Sequence, residues 1–317
     1  MRAQLLRLAR EAVTAVVALV GAATLLGLLD RYVWVFELAD VFRLQYLAVL
    51  LAAGVAALSL RRLHLAGVAG ALAVLNAAVV GVSFAPPASA AAGAGAGSLR
   101  LLVANVEVGN TRFAAVERLV ARSDADVVGV TELTPSMASH LARALPEYDA
   151  RLVAPRADAY GVGVFSRVPL LSARVAHYPA GGPPTIVARV RVAGQPVTVV
   201  VTHVHTPFAG SIHVRHLRAL ADARPRLGER LAVCGDFNTP PWSGPFRRLE
   251  RDTGLASLYG PGAWTAYSWP TWSPALRVPI DNCLVSGGLV VRGHHDGESV
   301  GSDHFPLVVD LAVRRDR

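Results

Sequence analysis

Three long apolar stretches without a charged residue occupy the first part of the chain, at residues 12–29, 44–60 and 65–84. Each is close to the length that an α-helix needs to cross the hydrocarbon core of a bilayer. A buried hairpin of soluble helices is the alternative, but consecutive uncharged runs of this length are rare in soluble folds. The pattern therefore predicts a membrane anchor of three transmembrane helices within residues 1–84.

The positions of the charged residues predict the orientation of this anchor. Three arginines precede the first run and two more fill the turn after the second, whereas the first loop is nearly balanced in charge: Arg2, Arg7, Arg10, Arg61 and Arg62, against Asp30, Arg31, Glu37, Asp40 and Arg43. Because cationic loops stay in the cytoplasm, we expect a multi-pass plasma-membrane protein with a cytoplasmic N-terminus and an extracytoplasmic C-terminal part. Cleavage after Ala-Ser-Ala at 88–90 would instead release a soluble domain.

Beyond the anchor the pattern changes. Residues 85–98 contain only Ala, Pro, Gly and Ser and are predicted to be a flexible linker. From residue 99 to residue 317, apolar runs of strand length alternate with amphipathic segments, which predicts one mixed α/β domain. The predicted strands are 99–106, 127–130, 161–165, 186–192, 197–203, 231–234, 280–285 and 307–313, and the predicted helices are 112–123, 137–145 and 214–227.

Polar residues stand at the ends of most of these predicted strands. They are Asn105, Glu132, His203, Asp236, Asn238, Asp281, Asp303 and His304. Each one alone fits a turn former, an acid at a helix start or a histidine at a sheet edge. Their repeated position predicts one cluster of acids, amides and imidazoles at the edge of a sheet. Such a cluster suits metal-assisted attack of water on a phosphate ester.

The order of these motifs resembles the endonuclease/exonuclease/phosphatase superfamily, which has the DNase I-like fold. The resemblance covers about residues 99–313 and rests on Asn105, Glu132 and five motifs that follow in order: YGVGVFSR, THVH, GDFN, PID and SDHFPL. It implies a four-layer α/β/β/α sandwich of two packed sheets, preceded here by three transmembrane helices. It also implies an active site on the rim where strand ends converge.

The resemblance implies a role for each residue of the set. Glu132 is similar to the family's principal Mg²⁺ ligand, with Asn105 and Asp303 close to the metal, and oxygen ligands of this kind suit Mg²⁺ or Mn²⁺. Asp236 matches the residue that orients or deprotonates the attacking water. Asn238 matches the residue that holds a phosphoryl oxygen.

Histidines carry the remaining implied roles. His304 matches the family's catalytic histidine, with Asp281 or Asp303 fixing its tautomer. His203 matches the second histidine, which contacts the phosphate and protonates the leaving oxygen. His205 and Tyr160 are candidate substrate contacts, with a rim or packing role as the alternative for each.

Composition supports the anchor and leaves the partner open. With 53% hydrophobic residues and a mean hydropathy of +0.40, the chain is too apolar for an ordinary soluble enzyme. The net charge of +8, carried entirely by arginine, suits any anionic partner, whether nucleic acid or lipid phosphate. Cys234 and Cys283 are either buried small hydrophobes or a disulfide between neighbouring strands.

The layout narrows the substrate. Three spans followed by an exported domain of this superfamily resemble the VanJ-type proteins, which are associated with teicoplanin resistance and polyprenyl-pyrophosphate hydrolysis. We therefore expect a phosphatase of the cell envelope that acts on a phosphorylated lipid such as undecaprenyl pyrophosphate. The aromatic segment 264–272 either dips into the membrane interface or packs on the rim.

Three alternatives remain at this point. A membrane-tethered nuclease would use the arginines that follow the THVH motif: Arg215, Arg218, Arg224, Arg226 and Arg230. A phosphodiesterase similar to phospholipase C or sphingomyelinase is the second alternative, and a non-catalytic binding module is the third.

Overall fold

The computed structural model describes residues 1–83, 95–259 and 267–314. Its first part is a bundle of three helices: α1 (Arg2–Gly27), α2 (Arg43–Ser59) and α3 (Leu63–Ser83). Within the described residues, α1 and α3 are long and apolar enough to cross a membrane, whereas α2 has only 17 residues. Of the three predicted spans, two are therefore candidates by length and composition, and α2 lies at the lower end of the range for a crossing helix.

A buried polar network joins the three helices at one end. Arg43 forms an ion pair with Asp40 and donates from Nη1 to Asn76 Oδ1 at 3.1 Å. The amide of Asn76 in turn donates to Thr24 Oγ1 at 2.9 Å. These contacts link α1, α2 and α3 to one another. They also satisfy an arginine that would otherwise be costly to bury.

The C-terminal domain contains two six-stranded sheets. The first has the strand order β11-β12-β1-β2-β4-β3 and the second has the order β5-β6-β7-β8-β10-β9. The strands are β1 (Gly95–Asn105), β2 (Val127–Thr131), β3 (Ala150–Ala154), β4 (Val162–Ser166), β5 (Leu170–His177), β6 (Pro184–Val192), β7 (Gln195–His203), β8 (Leu231–Asp236), β9 (Ala256–Ser257), β10 (Asp281–Val285), β11 (Leu289–Asp296) and β12 (Leu307–Arg314).

Helices cover the outer face of each sheet. Two pack on the first sheet and two on the second: α4 (Phe113–Ser123) and α5 (Pro135–Ala144), then α6 (Ser211–Ala223) and α7 (Gly244–Thr253). A valine-rich core fills the space between the two sheets, as expected for strands whose inner faces are both buried. The predicted four-layer α/β/β/α sandwich is confirmed.

Several boundaries differ from those predicted. β1 begins at Gly95, so four residues of the predicted linker 85–98 belong to this strand, and two of them, Gly95 and Ala96, pair with β12. Residues 85–94 of the linker, together with residue 84 at the end of the third predicted span, lie outside the described residues. The helix predicted at 214–227 begins at Ser211 and ends at Ala223, because Pro225 cannot continue it. Strands β3, β5, β9 and β11 were not predicted, since they are very short or lack a clean apolar alternation. Helix α7 was also missed, although Phe246 and Leu249 form a buried face, because it has only ten residues and few of them are apolar.

The two cysteines form a disulfide. Cys234 in β8 and Cys283 in β10 lie directly opposite each other in an antiparallel pair and are bonded. The alternative of two unpaired buried thiols is excluded. The bond closes a segment of 49 residues and joins the two strands that end and begin at the polar rim.

Candidate active site

Two parallel strand pairs deliver the polar residues to one rim of the sandwich. β1 runs parallel to β2 in the first sheet, and β7 runs parallel to β8 in the second, so the carboxyl ends of each pair coincide. The residues at or directly after these ends are Asn105, Glu132, His203 and Asp236. Asp281 opens β10 and pairs opposite Asp236. Because the sheets pack face to face, groups from both meet at one place.

His304 and Asp281 form a buried hydrogen-bonded pair. His304 Nδ1 lies 2.7 Å from Asp281 Oδ2, and His304 Nε2 lies 3.7 Å from Asp236 Oδ2. Burial disfavours the charged imidazolium, but the carboxylates of Asp281 and Asp236 outweigh burial and raise the pKa of His304 to about 10. His304 is therefore an imidazolium at neutral pH and can offer its Nε2 proton to a phosphate oxygen.

Asp236, Asp281 and His304 also have the spacing of a metal site, since one ligand atom from each lies within 4.8 Å of the others. Metal binding requires a neutral imidazole nitrogen, whereas His304 carries protons on both nitrogens when it is charged. The short contact with Asp281 uses one of them. With His304 charged, these three side chains can hold and move a proton, whereas they offer ligand atoms to a cation only when the imidazole is neutral.

Asp236 lies between two histidines. His203 Nε2 is 3.3 Å from Asp236 Oδ2 and 3.1 Å from Asn238 Nδ2, while His203 Nδ1 is 2.7 Å from the Ala159 carbonyl oxygen. Burial opposes charging of His203, but the Asp236 carboxylate raises its pKa. Burial also opposes ionisation of Asp236, yet the charge of His304 and the hydrogen bond from His203 lower its pKa. Asp236 is thus a carboxylate, as a group that orients water requires.

Unusual backbone geometry brings these side chains to the rim. Glu132 and Asn238 both have positive φ angles, of 56° and 54°. Such angles are costly for residues other than glycine and cluster at functional sites. Gly235 has φ of 145°, and a Cβ there would lie 1.9 Å from the Thr202 carbonyl oxygen. Only glycine therefore allows β8 to approach β7 closely enough to present Asp236 beside His203.

Asn105 and Glu132 meet across the first sheet. Asn105 Nδ2 donates to Glu132 Oε1 at 2.9 Å and to Asp236 Oδ2 at 3.1 Å. Glu132 Oε2 accepts a hydrogen bond from the Val108 backbone N–H at 2.8 Å. The amide of Asn105 therefore links a carboxylate of the first sheet to one of the second, which sets the distance between the two halves of the rim.

Two further residues complete the acidic part of the rim and were not predicted from the sequence. Glu107 Oε2 accepts a hydrogen bond from the Asp303 backbone N–H at 3.1 Å. The indole of Trp269 donates to Asp303 Oδ2 at 2.8 Å and so orients that carboxylate. The position of Glu107, two residues after Asn105 at a strand end, was the signal available in the sequence. For Trp269 the sequence gave no signal beyond its place in the aromatic segment 264–272.

The donor chemistry of this region fits a hard divalent cation. Glu107, Glu132 and Asp303 approach one another, and burial together with the negative charge of Asp303 raises the pKa of Glu107. Crowded carboxylates of this kind are stabilised by a cation, and carboxylate and amide oxygens match Mg²⁺ or Mn²⁺ better than Zn²⁺. Glu132, Glu107, Asp303 and the Asn105 oxygen would hold the ion. When bound, it would polarise a phosphoryl oxygen and neutralise developing charge.

Tyr160 and His205 lie beside the histidine side of the rim. The Tyr160 ring is 5.4 Å from the His203 ring and 4.9 Å from the His205 ring, measured between centroids. His205 lies beyond the end of β7, and its Nδ1 is 3.1 Å from Nδ1 of His216. Both predicted substrate contacts are thus next to the site, and both also have packing partners.

Comparison with known proteins agrees with this geometry. Residues 102–304 match the model of the endonuclease/exonuclease/phosphatase family. The chain belongs to this family. Its members are hydrolases that include nucleases and phosphatases and that depend on a divalent metal ion. No curated protein matches the sequence.

Solved structures show the same fold at low sequence identity. D. rerio TDP2 complexed with single strand DNA product has a TM-score of 0.59 and 18% identity, covering 68% of this chain and 99% of that one. The human Nocturnin catalytic domain with bound sulfate anion gives 0.53 and 17%, with coverages of 68% and 94%. A family member from Beutenbergia cavernae DSM 12333 gives 0.52 and 20%, with coverages of 69% and 72%.

Proposed function

We propose that this protein is a membrane-anchored, metal-dependent phosphoester and pyrophosphate hydrolase that acts outside the cytoplasm. Its proposed substrate is a phosphorylated lipid such as undecaprenyl pyrophosphate. The observation that carries the proposal is the position of the rim, which is bordered by exposed aromatic side chains and lies next to the membrane anchor.

Exposed aromatic residues border the candidate site on two sides. Phe208 is 82% exposed and follows His205 by three residues. Trp272 is 68% exposed and follows Trp269 by three residues, where the Trp269 indole bonds Asp303. Large exposed aromatic side chains of this kind mark interaction surfaces or membrane interfaces.

Both flanks of the site contact the anchor. A Cβ at Gly210, next to the first flank, would lie 3.2 Å from the Trp34 ring. Near the second flank, the side-chain amide of Gln45 donates to the Arg277 carbonyl oxygen at 2.9 Å. Trp34 lies in the loop before α2 and Gln45 in its first turn, on the side that the arginine distribution places outside the cytoplasm. A lipid phosphate at that surface would be close to the rim.

The side chains on the rim support in-line attack of water on phosphorus. Asp236 would orient the water and take its proton, while Asn238 would hold a non-bridging phosphoryl oxygen. The His304 imidazolium would neutralise charge that develops on the phosphoryl group, and His203 would protonate the leaving oxygen. Hydrolysis of a lipid pyrophosphate would then yield a lipid monophosphate and inorganic phosphate.

The disulfide supports an extracytoplasmic site, because such bonds persist in oxidising compartments and are rare in the cytosol. The orientation can be tested with Ser98→Cys, since position 98 is exposed and both native cysteines are bonded to each other. We expect this thiol to react with a membrane-impermeant maleimide in intact cells. Protection until the cells are lysed would show that the topology is inverted.

A nuclease is the main alternative, because D. rerio TDP2, which has the same fold, was solved with a single strand DNA product. Three of the five arginines expected to follow a nucleic-acid backbone are unfavourably placed. Arg224, Arg226 and Arg230 precede β8, whose other end carries Asp236. A six-residue strand spans roughly 20 Å, so these three arginines lie at the edge of the sheet opposite the rim.

The substrate can be tested with the purified full chain in detergent and Mg²⁺. We expect release of inorganic phosphate from undecaprenyl pyrophosphate and no nicking of plasmid or single-stranded DNA, because the proposed place of the rim is at the lipid surface and three of the candidate arginines lie at the opposite edge of the sheet. Cleavage of DNA alone would make the protein an anchored nuclease. Cleavage of sphingomyelin or phosphatidylcholine would favour the phosphodiesterase alternative.

Replacing the two exposed flank residues separates a lipid surface from the chemistry itself. In proteoliposomes, Phe208→Ser with Trp272→Ser should slow hydrolysis of the lipid substrate while leaving hydrolysis of a soluble chromogenic phosphoester unchanged. The matched control is Val175→Ser, which alters an exposed apolar side chain on β5. Equal loss on both substrates would show that the flank residues support the fold and do not contact lipid.

A further inference from the structure

The loop that joins α1 to α2 reaches into the C-terminal domain beside the candidate active site. Its short 3-10 helix, Trp34–Ala39, carries Glu37, whose side chain is fully buried. Glu37 Oε1 accepts a hydrogen bond from Thr239 Oγ1 at 2.6 Å and contacts His213 Nε2 at 3.1 Å. Thr239 directly follows Asn238. Glu37, which precedes α2, therefore bonds the residue next to Asn238, and Asn238 is a proposed phosphate contact.

The hydrogen bond to Glu37 sets the direction of a chain of hydroxyl groups. A threonine hydroxyl donates one hydrogen bond, and a carboxylate can only accept, so Thr239 donates to Glu37. The Ser243 hydroxyl, 2.6 Å from that of Thr239, must then donate to Thr239. The Ser243 oxygen then accepts a hydrogen bond from the Phe246 backbone N–H at 3.2 Å, and Ser243 thereby caps the N-terminus of α7.

His213 forms the second arm of the contact. Its Nδ1 is hydrogen-bonded to the His205 carbonyl oxygen, and its Nε2 faces Glu37. This pair of buried contacts holds the segment between His203 and α6 against the same carboxylate that holds Thr239.

Further contacts lock the loop to the same segment of the C-terminal domain. The Trp242 indole donates to the Asp40 carbonyl oxygen at 2.9 Å, and the Gly244 backbone N–H donates to the Asp30 carboxylate. A Cβ at Gly244 would lie 2.4 Å from Asp30 Oδ1, so this close approach requires glycine. Hydrophobic packing alone could hold the loop, yet a buried carboxylate costs free energy unless it is paired. The presence of the buried Glu37 carboxylate therefore indicates that it fixes the positions of its hydrogen-bond partners, Thr239 and His213.

We propose that Glu37 is a positioning residue for the hydrolytic site. Through Thr239 it holds Asn238 in its left-handed conformation, with φ of 54°, so that the Asn238 amide stays beside His203. The anchor is then part of the active site and not only its attachment to the membrane. This inference depends on hydrolysis at the rim but not on which phosphoester is the substrate.

The test uses four variants of the full chain in detergent with a chromogenic phosphodiester. Glu37→Ala and the isosteric Thr239→Val should each lower kcat by roughly tenfold to a hundredfold with little change in KM, because a small misplacement of a positioned group has effects of this size. Thr239→Ser, which keeps the hydroxyl, should restore kcat. The double variant should be no slower than Glu37→Ala, since both changes break one chain of contacts.

The matched control is Gln45→Ala, which removes another hydrogen bond between the anchor and the C-terminal domain. It should leave kcat unchanged. A loss equal to that of Glu37→Ala would mean that general docking matters and not this carboxylate. Wild-type kcat in Thr239→Val would also overturn the proposal, and the Thr239 pair decides the matter even if Glu37→Ala fails to fold.

Hydrogen exchange gives a readout that needs no substrate. The Asn238 backbone N–H donates to Asp236 Oδ1 at 2.8 Å and should be protected in the native protein. In Glu37→Ala and Thr239→Val we expect faster exchange around Asn238 than in the wild-type protein, with little change in the strands remote from it. Unchanged protection would contradict a positioning role. This measurement separates failure of the positioning proposal from failure to find the correct substrate.

Discussion

Replacing His304 with alanine is expected to lower kcat by about 10²- to 10⁴-fold, the usual contribution of a positioned acid or base. The expected change in KM is small, because the imidazolium acts mainly on charge that develops in the transition state. The matched control is His140→Ala, which removes a histidine that contacts Glu117 on the surface of the first sheet's helices. Near-normal kcat in the His304 variant would remove this residue from the chemistry.

The role of His304 can also be tested through the pH dependence of kcat, by replacing its partner Asp281. In the native protein the imidazolium persists until the pH approaches its pKa of about 10, so activity that needs it should be lost only on the alkaline side. Asp281→Asn removes one of the carboxylates that raise this pKa. The alkaline limb of the kcat–pH profile should therefore move to lower pH, toward the ordinary histidine range of about 6.5. An unmoved limb would show that another group titrates.

Glu132→Gln is expected to cost at least about 10²-fold in kcat, because the variant loses a negative charge where a cation must bind. Chelator should abolish activity of the native chain, and Mg²⁺ or Mn²⁺ should restore it. The same ions should restore the variant only at much higher concentration, if at all. Activity that is indifferent to chelator would contradict metal assistance at this rim.

A matched change separates this effect from general loss of acidity. Glu298→Gln removes a carboxylate that is exposed and paired with Arg122. Activity and its dependence on Mg²⁺ should be unaffected in this variant. Titration of Mg²⁺ by calorimetry on both variants would show whether Glu132 acts through ion binding. Unchanged Mg²⁺ affinity in Glu132→Gln would show that other residues, such as Glu107 and Asp303, bind the ion.

The fold and most of the rim were predictable because the signals are local. Short valine-rich runs identified most of the central strands, and four of them, β1, β2, β7 and β8, end at or directly before a polar residue of the rim. Strand order and the packing of two sheets followed from the family resemblance and not from periodicity. Edge strands such as β5 escaped notice, because alternate side chains of an edge strand face solvent and its residues are mostly exposed.

The features that were missed depend on contacts between distant parts of the chain. Nothing near Glu37 indicates that it bonds Thr239, which lies 202 residues later. The orientation of Asp303 by Trp269 likewise exists only after the loops fold together. The apolar run predicted at 44–60 and the helix α2 both have 17 residues and differ only by a shift of one position, and this length lies at the lower end of the range for a span.

The most direct test of hydrolysis at this rim is an isotope measurement in water enriched in ¹⁸O. The full chain in detergent with Mg²⁺ would be given undecaprenyl pyrophosphate, and both phosphate-containing products would be analysed by mass spectrometry. Attack of water on phosphorus predicts one ¹⁸O atom per turnover in a phosphate product, and labelled product should form about 10²- to 10⁴-fold more slowly with His304→Ala. Cleavage that leaves both phosphates unlabelled, or no cleavage of any phosphoester, would contradict the account.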